Sequence, residues 1–194
     1  MIYQFFIKRI LDLILALTLI FLLMPLLIII SALILIQEGK PILFIQERPG
    51  INKAVFRLYK FRTMLNDNLL KDKDRITKIG LFLRKYSLDE LPQLINVIKG
   101  DMSLIGPRPL LLEYNNKYTD TQNKRFLVKP GISGLAQVKG RNNISWEQKF
   151  QLDVKYVERI SLSLDCMIFF KTIYTVITSK GFKSHGEEKK FSIK

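Results

Sequence analysis

The pattern of the chain changes once, near residue 38. From Ile10 to Ile36 it is apolar, interrupted only by Asp12, Thr18, Pro25 and Ser31, and beyond that run polar and apolar positions interleave. This predicts a membrane helix over residues 1–38, a polar domain over 39–182 and a C-terminal tail over 183–194. A secretory signal fits poorly. Its apolar core would span roughly 7–15 residues and end in small residues, whereas this run is longer and ends in Gln37-Glu38-Gly39.

A straight helix over the run would measure about 40 Å, against a hydrocarbon core of about 30 Å, so a tilted span is possible. Two features favour a helix that enters, bends and leaves on one face. Pro25 cannot donate to the Phe21 carbonyl. Basic residues lie on both flanks, with Lys8 and Arg9 before the run and Lys40, Arg48, Lys53, Arg57, Lys60 and Arg62 after it; positive charge pulls both ends toward the cytoplasmic side. Pattern and charge leave the two topologies level. Asp12 stands one turn after Lys8, and a carboxylate at that depth needs a cation, so its expected role is structural.

In the polar domain, Ile42–Gln46 and Val55–Phe61 read as strands of a hairpin, with Glu47–Lys53 as the loop between them. Residues 66–75 read as a polar surface loop. Helices are predicted over Ile76–Tyr86, within Ser87–Lys99 up to Gly100, over Trp146–Val157 and over Leu164–Ser179. A short strand is predicted at Leu135–Val138. The fold class is mixed α/β and helix-rich. The broad apolar face of the last helix (Met167, Phe170, Tyr174 and Ile177 among others) suits either the core or a membrane interface.

The chain carries 31 Lys and Arg against 17 Asp and Glu, a formal charge of +14. That surplus favours polyanions, and beside a membrane segment anionic lipid is the simplest partner. No nucleic-acid-binding motif is present, so nucleic acid is not expected. One cysteine, Cys166, excludes an internal disulfide, and one histidine, His185, leaves no ligand set for zinc. No phosphate-binding glycine loop of the P-loop or dinucleotide type occurs. The remaining chemistry must use carboxylates, Lys and Arg, with Mg²⁺ the metal such ligands suit. Asp89 and Glu90 adjoin in Ser87-Leu88-Asp89-Glu90-Leu91-Pro92, where Ser87 and Glu90 also fit a capping box. Arg108 sits between two prolines, Arg141 follows Gly140, and Lys60 and Arg62 flank Phe61. Arginine forks suit phosphate oxygens.

Four stretches resemble the bacterial sugar transferases, the monotopic phosphoglycosyl transferases: Lys60–Met64, Ser87–Leu94, Lys99–Pro109 and Pro130–Val138. The resemblance runs from Lys8 to about Ile177. It implies a re-entrant helix in the bacterial inner membrane, held by Lys8, Arg9 and Asp12 and bent at Pro25, with a catalytic domain on the cytoplasmic face. Met24 replaces the serine that usually precedes the proline. It implies an Asp89–Glu90 dyad with Asp89 as nucleophile and Mg²⁺ contact, and phosphate contacts from Arg84, Arg108, Arg141 and Lys60. The reaction it implies moves a sugar 1-phosphate from a UDP-sugar to undecaprenyl phosphate, releasing UMP, as a first membrane step of glycoconjugate assembly. Stretches such as Gly140–Glu147 resemble transferases of UDP-N,N′-diacetylbacillosamine, although Lys139 stands where those members often carry Asn. The alternative is a basic membrane adaptor without enzymatic activity, binding anionic lipid or a partner protein.

Overall fold

The computed structural model describes residues 3–65, 74–140 and 143–179, with Phe5 described through its backbone alone. Arg141, most of the loop expected over 66–75, and the tail over 183–194 lie outside the described residues. A π-helical turn over Tyr3–Ile7 leads into α1, Lys8–Glu38, a single helix with Pro25 inside it. Just beyond the proline, Ser31 Oγ donates to the Leu27 carbonyl at 2.7 Å. α1 is long and apolar enough to cross a membrane, and only 11% of its most apolar stretch is buried. The core helix of a water-soluble domain would bury most of that surface. Phe21 is 72% exposed and Ile36 80% exposed.

Both ends of α1 are fastened to the polar domain. At the N-terminal end, Lys8 Nζ donates to Asp165 Oδ2 at 2.6 Å and lies 3.9 Å from Asp12 Oδ1. Arg9 donates to the carbonyls of Val97 at 2.5 Å and Ile98 at 2.9 Å. Asp12 accepts from Ser103 Oγ at 2.7 Å and from the Leu104 amide at 3.2 Å. At the C-terminal end, Arg62 donates to the carbonyls of Glu38, Gly39 and Lys40 at 2.5, 2.7 and 3.0 Å. These carbonyls are among those a helix end leaves without partners in its own ladder.

The hairpin forms as an antiparallel pair, β1 (Leu43–Pro49) with β2 (Val55–Phe61), registered from Leu43 opposite Phe61 to Pro49 opposite Val55. β1 therefore runs three residues past Gln46, into the segment expected to be loop. The ladder continues because Glu47 and Arg48 find partners in Arg57 and Phe56. α2 (Lys78–Lys85) starts at Thr77, whose side chain accepts from the Gly80 amide at 2.9 Å. α3 (Gln93–Lys99) ends at Gly100 in the left-handed region, at φ 91°. Buried Asn96 of α3 accepts from the Tyr59 amide at 3.1 Å and donates to the Arg57 carbonyl at 2.7 Å. It thereby satisfies the outer edge of β2 in the absence of a third strand.

β3 (Ser103–Ile105) runs parallel to β4 (Gly131–Ser133), with α4 (Asp120–Asn123) in the intervening segment. The strand expected at Leu135–Val138 is instead α5 (Leu135–Lys139). Leu, Ala and Gln are good helix formers, and the strand pairing is taken by Gly131–Ser133. Glycine is required there, since a β-carbon on Gly131 would lie 2.0 Å from the Gly106 amide nitrogen. α6 (Trp146–Glu158) opens with a capping box from Ser145 and Gln148, and α7 (Leu162–Ile177) follows after a short turn. One core joins Ala16 of α1 to Leu58, Val97, Met102, Tyr156 and Ile168. A second joins Ile30 and Ile34 of α1 to Phe61 and Leu83. The result is a helix-rich α/β domain with two small sheets and a long apolar N-terminal helix.

Candidate active site

Strand alternation sets the first side chain. Phe61 faces down into the second core, so Lys60 at the end of β2 faces the other way. Its Nζ lies 2.9 Å from Glu90 Oε1. Glu90 and Asp89 come from a single 3-10 turn, Leu88–Glu90, entered through Ser87 in the left-handed region at φ 54°. The capping box expected from Ser87 and Glu90 does not form, because Ser87 makes no side-chain cap in that conformation. Glu90 serves two cations. Arg108 Nη2 lies 2.6 Å from Oε1 and Nη1 lies 3.2 Å from Oε2, while Lys60 shares Oε1.

Arg108 is aimed by its backbone. Prolines restrict both the segment before it and the residue itself. The Gly131 amide donates to the Pro107 carbonyl at 3.0 Å, and buried Arg125 donates to the carbonyl of Arg108 at 2.7 Å. Arg125 is in turn held by Asp153 Oδ2 at 2.8 Å, with both side chains almost wholly buried. Burial raises the Asp153 carboxyl pKa and the Arg125 charge opposes that rise. Breaking such a pair leaves an uncompensated buried charge. Asp153→Asn should therefore cost about 3 kcal/mol or more of stability in denaturant titration, with activity falling as Arg108 loses its support.

Arg84 approaches from α2. Its Nε donates to Thr63 Oγ1 at 2.8 Å, and α2 can come this close to the end of β2 only because Gly80 has no side chain: a β-carbon there would lie 2.1 Å from the Thr63 carbonyl oxygen. The two neighbouring carboxylates are held differently. Burial alone would raise the pKa of Glu90, but Arg108 and Lys60 together outweigh it and hold the carboxyl well below the usual range. Asp89 is buried, and among the described residues no hydrogen bond or ion pair within 4 Å engages its carboxylate. Burial and the neighbouring Glu90 charge push its pKa up, against the pull of Lys60, Arg84 and Arg108. Among the described residues one carboxylate is clasped by two cations and the other has no cation within 4 Å.

The structure thus brings together Asp89, Glu90, Lys60, Arg84 and Arg108, while Arg141 lies outside the described residues. Lys8, Arg9 and Asp12 hold α1 to the polar domain. Sequence reasoning missed Arg125 and Asp153, which stand far apart in the chain and read there as ordinary surface charges. Among the described residues no group of three His, Cys, Asp or Glu is placed to hold a metal. Among the described residues Asp89 is the carboxylate of the dyad without a cation within 4 Å, a donor that would fit Mg²⁺ held through one protein oxygen and substrate phosphates.

Residues 3–179 match the bacterial sugar transferase family. The chain belongs to that family. The uncharacterized sugar transferase EpsL of Bacillus subtilis (strain 168) is 48% identical over 181 residues, covering 91% of this chain and 90% of that protein. The UDP-galactose-lipid carrier transferase of Erwinia amylovora is 40% identical over 198 residues, covering 91% of this chain and 41% of its own length. The UDP-N-acetylgalactosamine-undecaprenyl-phosphate N-acetylgalactosaminephosphotransferase of Aeromonas hydrophila is 39% identical over 189 residues, covering 91% and 45%. The chain spans less than half the length of the last two. As a bacterial sugar transferase it is an enzyme, in agreement with the four motifs read from the sequence.

Proposed function

We propose that this chain transfers a sugar 1-phosphate from a UDP-sugar to undecaprenyl phosphate through a phosphosugar ester on Asp89. The observation that carries the reading is a buried Asp89 with no cation contact among the described residues, next to a Glu90 clasped by Lys60 and Arg108. In the first half-reaction an Asp89 oxygen attacks the phosphorus that bears the sugar. The bond from that phosphorus to the bridging oxygen breaks, and UMP leaves with the electron pair. In the second, a phosphate oxygen of the lipid attacks the same phosphorus and returns the carboxylate. Arg108, Arg84 and Lys60 offset the repulsion between carboxylate and diphosphate. Mg²⁺, when held by Asp89 and phosphate oxygens, would supply further charge neutralisation. Glu90 keeps Lys60 and Arg108 aimed. Such chemistry opens the assembly of a lipid-linked glycan or polysaccharide.

The relatives' names include galactose and N-acetylgalactosamine carriers. The motif resemblance adds UDP-N,N′-diacetylbacillosamine as the donor we propose to test first. A UMP-release assay over these three donors, with undecaprenyl phosphate in detergent and Mg²⁺, should give turnover with at least one and none with EDTA. No UMP from any UDP-sugar would remove the reading.

We further propose that α1 is re-entrant, in the bacterial inner membrane, with the domain on the cytoplasmic face. A helix of this length is about 46 Å long if straight, yet Arg9 at one end and the Glu38 carbonyl at the other both bind the same domain. Phe82 of α2 and Phe170, Tyr174 and Ile177 of α7 are exposed and apolar, which suits docking at the lipid interface. In a Cys166→Ser background, single cysteines at Gln4 and Asn116 should react with an impermeant maleimide from the same side of the membrane. Labelling from opposite sides would mean a spanning helix.

A further inference from the structure

Arg48, on β1 opposite Phe56, has no evident reason to be where it is. Its Nη2 donates to Gln46 Oε1 at 2.6 Å, but its Nε is buried with no hydrogen-bond partner. Among the described residues no carboxylate lies within 4 Å of it. Its electrostatic neighbours are the site itself: burial and the Arg108 charge push its pKa down to about 10, while Glu90, Tyr114 and Tyr118 act the other way. A cleft lined by Pro49, Gly50, Arg108 and Phe126 separates the hairpin end from the Arg108 loop. Arg48 directly precedes Pro49, which lines that cleft together with Arg108, and the Glu90 carboxylate is already engaged by Arg108 and Lys60. An orphaned buried donor beside a like charge destabilises the unliganded fold. Its complement is an anion with several acceptor oxygens.

We propose that Arg48 and Arg108 form a two-guanidinium site for a substrate phosphate, with Arg48 a phosphate-binding residue of this enzyme. The inference rests on the transferase reading and extends it to a residue on the hairpin. Planar guanidinium forks suit a tetrahedral phosphate, whose several oxygens can accept from more than one of them. Gln46 fixes the orientation of the fork by occupying Nη2, so that Nε and Nη1 remain to donate. Lys60, Arg84 and Arg108 already outweigh Asp89 and Glu90, and Arg48 adds to that positive surplus, which favours a diphosphate.

Arg48→Met and Arg48→Lys test this in the full chain. A structural role for Arg48 predicts that Met lowers the melting temperature. A ligand role predicts an unchanged or higher melting temperature without ligand, because a costly buried charge has been removed. Binding is read by thermal shift and titration with UMP, with uridine as the phosphate-free control, and with a short soluble prenyl phosphate. Arg48→Met should weaken the phosphate ligand roughly tenfold to a hundredfold, the loss of one or more charged hydrogen bonds, and leave uridine unchanged. Lys should restore part of it. A loss confined to UMP places the site on the donor, and a loss confined to the prenyl phosphate places it on the acceptor. Unchanged affinity for both, or a melting temperature that falls with no change in binding, overturns the proposal. If wild type itself releases no UMP from any donor, the transferase reading fails instead.

Discussion

Asp89→Asn should leave the protein folded and reduce turnover by on the order of a thousandfold or more, the scale seen when a covalent nucleophile is removed. The fold survives because the environment of Asp89 already disfavours its charge. Its pKa is raised by burial and by Glu90, so a neutral isostere relieves desolvation where a paired carboxylate would have lost a partner. The thermal midpoint near neutral pH should therefore be unchanged or slightly higher. The same shift governs the pH profile. In the proposed mechanism Asp89 attacks phosphorus in its ionised form, so kcat/KM should fall on acidification at a pH above the ordinary aspartate range. That acid limb should vanish from whatever residual rate the variant retains.

Glu90→Gln should do the opposite to stability. It removes the carboxylate that Lys60 and Arg108 share, and two partly buried cations are left facing each other. A fully buried pair broken in this way costs about 3–5 kcal/mol. Arg108 remains 41% exposed, so screening reduces the expected loss to about 2 kcal/mol, measured by denaturant titration at neutral pH. Activity should fall by roughly a hundredfold as both cations lose their aim. The pH dependence follows from the direction of the shift. The folded pKa of Glu90 lies below its unfolded value, so its stabilisation is complete above the usual glutamate range and is lost as pH falls through the depressed folded pKa. Asp89 contributes with the opposite sign, its stability contribution declining as pH rises from the unfolded value to the raised folded one. Wild type should lose stability in acid that Glu90→Gln does not.

Local signals carried far in this chain. The apolar run defined α1 to within a few residues of Lys8–Glu38, alternation located β2 at Val55–Phe61, and Gly100 marked the end of α3. Misreadings came where a distant partner decided. Leu135–Val138 alternates enough to read as a strand, but Ser103–Ile105 pairs with Gly131–Ser133, and the next residues coil into a helix. Ser87 and Glu90 have capping-box spacing, but Glu90 is drawn to a strand residue thirty positions earlier and to a loop residue eighteen positions later. The expectation of a dyad comes from the motif resemblance, because the residues of Ser87–Pro92 by themselves read better as a helix cap. The Arg125–Asp153 pair and the buried Nε of Arg48 could not be read from the sequence, since no local pattern distinguishes a buried arginine from a solvated one.

Intact-mass spectrometry of the full chain, quenched after mixing with a turned-over UDP-sugar and Mg²⁺ but no lipid acceptor, tests the central claim most directly. Wild type should gain the mass of one sugar phosphate, on the peptide that contains Asp89, with UMP released in matching amount, and Asp89→Asn should gain nothing. UMP formed only when acceptor is present, with no adduct trapped at any time point, would mean direct transfer between the substrates and contradict the covalent mechanism.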